Sequence, residues 1–402
     1  MTHGAGPESV HVSLPGDRPP WTPTGLRVRA GDRVTLLGSG FVHWSPRHDV
    51  GAGAKYHLWG RVPGGEIFGC TADTTTVVVD TDGELELCVY LGAWADRSGT
   101  LATGDAPYAR VSGGLEVTVL RWPADVDPID GLAALQDAAG SPAEPAAGGP
   151  EAGSPGTDGP GAGGPGTDGP GTDGLGTDGP GTGGSATDGP GAGASTVPDP
   201  TLVAAERERL AHPVRRPEGW EYLLDFGPGD IYRASELDGA PAIEVVCDDD
   251  AGILRTPVDV ALGPDTVFEW TWRVDALPSA VAEDTTFTHD YLSIAVEFDS
   301  GRDLTWFWSA GCEPVTGTFD CPIRGWRDRE THMPLHSGTD GLGVVHRERR
   351  HVHADHERFM GPAPERIVRV WLIAVSHFGR GTGRAVFSDI VLTDGTTRVQ
   401  VL

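Results

Sequence analysis

A five-residue repeat divides this chain. From Pro155 the motif Pro-Gly-Thr-Asp-Gly recurs, with variants such as Leu175-Gly-Thr-Asp-Gly179. Gly and Pro oppose both helix and sheet, and apolar side chains are too few for burial to offset chain entropy. A period of five excludes collagen, which needs Gly at every third position. It also lacks the stacked apolar residues of the nonapeptide calcium coil. The sequence therefore predicts a disordered Gly/Pro/Thr/Asp linker within 126–200, a segment with 11 acids and no base. Folded units are expected on either side, at 1–125 and 201–402.

Charge narrows the partners. The chain has 30 basic and 58 acidic side chains and a formal charge of −28. That field repels phosphates, so neither nucleic acid nor an anionic membrane surface is an expected partner. No apolar run approaches the roughly 18–20 residues that span a bilayer. The start at Met1 has neither a basic region nor an apolar one, and the five cysteines are an odd number. A cytoplasmic protein with reduced thiols is the expectation, although Cys312 and Cys321 would pair if the chain were exported.

Both flanking units read as all-β. Short alternating runs recur between Gly, Pro and Asp turns, which predicts two jelly-roll-like β-sandwiches. In Gly114–Leu120, Leu115, Val117 and Val119 alternate with Glu116 and Thr118, the pattern of a half-buried strand. Ile367–His377 is apolar at both parities, which predicts a central strand covered on both faces. Two helices are expected, at Ile129–Ala139 and Thr201–Ala211, the second with Asp199 as N-cap and Pro200 at its first position.

The first unit carries a Gly31-Asp32 strand start, a Gly40-Phe41 turn ending in Pro46, and a closing Ser112-Gly113 strand. In these features it resembles the galactophilic bacterial lectins, small calcium-dependent galactose-binding jelly rolls. The resemblance implies calcium ligands at two positions, which here read Leu91-Gly92 and Arg110-Val111. Calcium wants six to eight oxygen ligands. A degenerate lectin-like module without calcium is therefore expected, with Trp44 as the remaining ligand-binding candidate.

The second unit carries Phe268-Glu-Trp-Thr-Trp-Arg-Val-Asp275, Asp290-Tyr291, the run from Glu348 to Gly361, and Phe387-Ser-Asp-Ile390. Over most of 219–392 it resembles an uncharacterised bacterial family known only as a domain of unknown function. That resemblance implies a β-sandwich and no catalytic residues.

Two candidate sites follow from the residues. Strand periodicity puts Glu269 and Arg273 on one polar face, and Tyr291 and Glu297 on another. If the two faces form one groove, extended by Trp306 and His377, it suits a glycan. It also suits lyase or isomerase-type proton transfer, with Tyr291 or His377 as base and Arg273 as anion stabiliser. The alternative for these strands is an ordinary solvated face. The second candidate is His351-Val-His353-Ala-Asp355-His356, which matches the His-x-His-x-Asp-His metal motif of metallo-β-lactamase-like hydrolases. Zinc or manganese would be its ion, with His289, His332, His336 and His346 as further donors. The family resemblance instead implies a turn or short helix closed by Asp355.

The leading expectation is a carbohydrate-associated protein that binds a glycan or other polyhydroxylated small molecule on the C-terminal sandwich. A proton-transfer enzyme in the same groove, a metal-dependent enzyme at His351–His356, and a structural or partner-binding protein remain open.

Overall fold

The computed structural model describes residues 6–18, 20–45, 50–140, 198–285, 289–314, 317–322 and 326–402. The repeat itself lies outside the described residues. The fold is all-β, with two sandwiches. Among the described residues no helix is long and apolar enough to cross a membrane.

The N-terminal sandwich is built from β1 (Glu8–Pro15), β2 (Thr22–Val28), β3 (Arg33–Ser45), β4 (Val50–Ala52), β5 (Leu58–Arg61), β6 (Phe68–Gly69), β7 (Thr74–Val78), β8 (Gly83–Val89) and β9 (Ser112–Trp122). One sheet runs β1-β9-β3-β4 with β7 also on β3, and the other runs β2-β8-β5-β6. Alternation on β9 buries Leu115, Val117 and Val119 against Leu36, Leu85 and Leu87. The Gly40-Phe41 step, expected as a turn, lies inside β3 and is paired with Leu115 and Gly114 of β9, yet it still needs its glycine. Gly40 sits at φ +98°, and a Cβ there would lie 2.4 Å from the Gly114 carbonyl oxygen.

Helices flank the repeat as expected. A one-turn helix, α1 (Ala54–His57), precedes α2 (Pro128–Gly140) and α3 (Pro200–Ala211). Asp199 caps α3, its carboxylate accepting from the Thr201 amide at 2.8 Å. Although α3 follows the repeat, it packs on the N-terminal sandwich, where Val203 joins Leu37, Trp122 and Leu132. Its buried Glu206 accepts from the Thr74 hydroxyl at 2.7 Å and pairs with Arg209 at 2.6 Å.

The C-terminal sandwich contains β10 (Glu221–Tyr222), β11 (Tyr232–Leu237), β12 (Ala240–Asp248), β13 (Ala251–Ala261), β14 (Val267–Ala276), β15 (Tyr291–Phe298), β16 (Asp303–Ser309), β17 (Phe319–Asp320), β18 (Glu330–Ser337), β19 (Val345–His351), β20 (Arg366–Val375), β21 (Thr382–Thr393) and β22 (Arg398–Gln400). A short helix, α4 (Val352–Met360), follows β19. A seven-stranded sheet runs β10-β13-β20-β15-β16-β18-β17. A six-stranded sheet runs β11-β12-β21-β14-β19, with β22 on β21.

Tryptophans from the two sheets meet in the middle. Trp270 lies 5.7 Å from Trp306, and Trp272 lies 5.9 Å from Trp308. Strand β20 is central and covered on both faces. Val370, Leu372 and Ala374 face this core, while Trp371, Ile373 and Val375 join a second cluster on the outer side of the same sheet. That second cluster includes Tyr291, Ala295 and Phe307, packed against Phe226 and Trp326.

Candidate functional site

The two sandwiches touch at the outer side of the seven-stranded sheet. Asp250, in the turn between β12 and β13, accepts from the Tyr56 hydroxyl at 2.7 Å and pairs with Lys55, the one lysine of the chain. Asp225 accepts from the Tyr90 hydroxyl at 3.0 Å and the Trp94 amide at 3.2 Å. The His377 ring lies between the Asp249 carboxylate and the Gly51 carbonyl, each 2.9 Å away.

Beside these struts is a cleft of about 990 Å³ with walls from both units. Trp44, Tyr56 and Tyr90 come from the N-terminal sandwich, and Phe226, Trp326 and Phe378 from the C-terminal one. Trp44 is 40% exposed. Besides the Tyr56 and Tyr90 hydroxyls, the polar side chains are Asp225, His57 and His377. Leu91 and Gly92 also line the cleft.

His57 is buried in this wall with Nδ1 against the Tyr90 carbonyl at 2.8 Å. Burial pulls its pKa down to about 4 from 6.5. The native ring then stays neutral while the unfolded one protonates. Stability from this group is full above pH 6.5 and is lost as pH falls from 6.5 to 4, at a cost of about 3 kcal/mol. Urea midpoints at pH 7 and pH 4.5 check this, because His57→Asn is expected to flatten the acid loss. Equal losses in variant and parent would contradict the placement.

The groove expected from periodicity is not assembled. β14 and β15 belong to different sheets, and their greasy faces meet each other inside the sandwich. Their polar faces therefore point apart. Glu269 and Arg273 lie on the outer face of the six-stranded sheet, with Glu269 3.4 Å from Arg349 and Arg273 in a two-point pair with Asp275. Tyr291 and Glu297 are buried on the opposite outer face, Glu297 held by Arg369 at 3.0 Å. Trp306 is fully buried in the core between the sheets, so it offers no surface to a ligand. Of the candidates, Trp44 and His377 do share the cleft.

The histidine motif is split between elements. His351 ends β19 and the rest lies on α4, so the side chains diverge. Asp355 accepts two hydrogen bonds from Arg350, at 2.6 and 2.8 Å. His351 lies 2.8 Å from Arg349, His353 lies 3.5 Å from Glu357, and His356 faces the Gly361 carbonyl at 3.2 Å. Among the described residues, no metal-sized cluster of side chains includes any of the four.

Residues 219–391 match the model of a family described as a protein of unknown function, DUF3047. That agrees with the resemblance of the C-terminal unit. No curated protein matches the chain. Several solved structures are similar in part. The EclA N-terminal domain, a PllA-like lectin, is 18% identical and covers 28% of this chain and 96% of its own, with a TM-score of 0.24. The xyloglucanase domain of NopAA from Sinorhizobium fredii is 8% identical over 44% of this chain and 93% of its own, with a TM-score of 0.28. Endoglucanase 3 of Trichoderma harzianum, from family GH12, is 6% identical over 40% of this chain and 83% of its own, with a TM-score of 0.25.

Sequence reasoning missed most of the cleft. Asp225, Phe226, Trp326 and Phe378 lie outside the strands, where periodicity carries no signal. A buried polar group on β15–β18 was missed as a unit as well. Asp303 and Glu330 are register partners on β16 and β18. Burial and mutual repulsion push the Asp303 carboxyl well up, and burial pushes Glu330 up to about 7. Beside them burial holds His289 down at about 4 and His332 well below its usual value. The Glu330-x-His332 spacing on a strand was the available signal.

Proposed function

We propose that this chain is a carbohydrate-binding protein whose ligand lies in the cleft between the two sandwiches. The observation that carries the reading is the cleft itself. Its aromatic walls come from both units, and a few fixed polar groups stand among them. Ligand sites have this composition, an apolar lining with a small number of placed polar groups, and volumes of roughly 300–1,000 Å³. Sugar rings present apolar C–H faces to aromatic planes and hydroxyls to groups such as Asp225.

The test is the melting temperature of the full chain against neutral oligosaccharides, uronates and divalent metals, followed by calorimetry on any sugar that shifts it. A ligand that binds only the folded state raises the melting temperature by mass action. Trp326→Ala is expected to weaken that sugar by more than about 10-fold, the loss of a buried aromatic anchor. Arg273→Ala, on the far outer face, is expected to leave the affinity unchanged. No shift with any sugar would favour a structural or partner-binding role. Equal affinity in Trp326→Ala would move the site out of the cleft.

A further inference from the structure

A second cluster of donor side chains, none of which lines the cleft, is buried on the same outer side of the seven-stranded sheet. His289, Glu330 and His332 each present a ligand atom, and these atoms all lie within 4.8 Å of one another. The Cys321 sulfur is beside them, 3.4 Å from His289 Nε2, and its thiol hydrogen-bonds the Glu330 carboxylate. All four residues are buried.

His332 is the telling member. Its side chain is 0% exposed, and neither ring nitrogen has a hydrogen-bond partner. Phe319 stacks on its ring at 5.1 Å, and the Tyr291 ring meets it edge-on at 5.1 Å. A buried polar group without a hydrogen-bond partner is costly to keep, so it calls for an explanation. Asp303, across from Glu330, also has an unpartnered buried oxygen.

We propose that His289, Glu330 and His332, with Cys321 beside them, form a binding site for a zinc-type divalent metal ion. Imidazole nitrogen, thiolate sulfur and carboxylate oxygen are the donors zinc takes, at four-coordinate tetrahedral sites. Bonds of about 2.0–2.3 Å put such donors roughly 3.3–3.8 Å apart, so His289, Glu330 and His332, whose ligand atoms lie within 4.8 Å of one another, close on an ion with shifts of about 1 Å. The outer shell is in place. His289 Nδ1 lies 2.8 Å from the Glu283 carbonyl and donates to it, which leaves the Nε2 lone pair for the metal. Glu283 is itself held by the Ser309 hydroxyl at 2.5 Å and the Ala310 amide at 2.6 Å.

The site would tie together the segment before β15, the segment after β17, and β18. A second cluster, His336, His346 and Glu348, has comparable spacing. Its members already satisfy one another and the backbone, with His336 2.7 Å from Glu348 and His346 3.2 Å from the Gly341 carbonyl. It therefore lacks the orphaned donor that singles out His332.

The experiment uses the full chain, stripped with a chelator and titrated with zinc alone by calorimetry, and separately with cobalt followed by absorption. One equivalent of zinc is expected, with cobalt giving the visible bands of a tetrahedral site and a near-ultraviolet thiolate band from Cys321. His332→Ala and the isosteric Glu330→Gln are expected to weaken zinc by more than about 100-fold, beyond what loss of an outer-shell partner does. His346→Ala is expected to bind as the parent does. No zinc binding by the folded parent would overturn the proposal, as would binding that survives both His332→Ala and Glu330→Gln. Loss of binding in His346→Ala alone would assign the metal to the other cluster.

Discussion

Trp306→Ala is expected to destabilise the C-terminal sandwich by about 3–5 kcal/mol, the range for deleting a buried tryptophan from a packed core. The indole lies between the sheets, 5.7 Å from both Trp270 and Phe268. Interiors are packed too tightly to collapse into such a void without cost. Whole domains are stable by only about 5–15 kcal/mol, so this one change removes a large share. A urea titration of the full chain, following the C-terminal unfolding transition, is the measurement. Trp326→Ala should behave in the opposite way, with a small stability loss and a large binding loss. A stable Trp306→Ala that lost its ligand would contradict the core placement.

The second large effect concerns the contact between the sandwiches. Asp250→Ala is expected to cost up to about 3–5 kcal/mol, because it takes from the buried Lys55 ammonium the one carboxylate in contact with it and leaves only the fields of Asp230, Asp73 and Asp249 to compensate the charge. Both side chains are largely shielded, at 16% and 13% exposure. The Tyr56 hydroxyl loses its acceptor in the same change. Pairing the change with Lys55→Met removes the stranded charge, so the double variant should be less destabilised than Asp250→Ala alone. The double-mutant cycle reads that coupling directly. Additive losses would show that the two residues do not act as a pair.

Strand positions were legible because period-two alternation is a local signal. Gly114–Leu120 and Tyr291–Phe298 fall within strands of the structure, and Ile367–His377 overlaps β20, which ends at Val375 before a turn that carries His377. Asp199 and Pro200 marked the start of α3 for an equally local reason. What alternation does not contain is sheet membership. β14 and β15 each announce one greasy face, and nothing in their patterns says that the two faces meet from opposite sheets. The sequence reading therefore joined Arg273 and Tyr291 in one groove, and the structure separates them by the thickness of the core. β18 was overlooked because Glu330, Thr331 and His332 look like a solvated segment, yet all three are buried. The histidine motif misled in the opposite sense. Its spacing was right, but the strand ends at His351 and a helix takes over, which turns the later side chains away. The cleft was invisible because its walls come from residues up to 334 positions apart, Trp44 and Phe378, brought together by the domain contact.

The most direct test of the account is calorimetric titration of the full chain with the sugar that shifts its melting temperature, on Trp44→Ala and Trp326→Ala in parallel. These residues stand on opposite walls. Each substitution is expected to weaken the same ligand by about 10-fold or more while leaving both sandwiches folded. An unchanged affinity in either variant would contradict a ligand held between the two units.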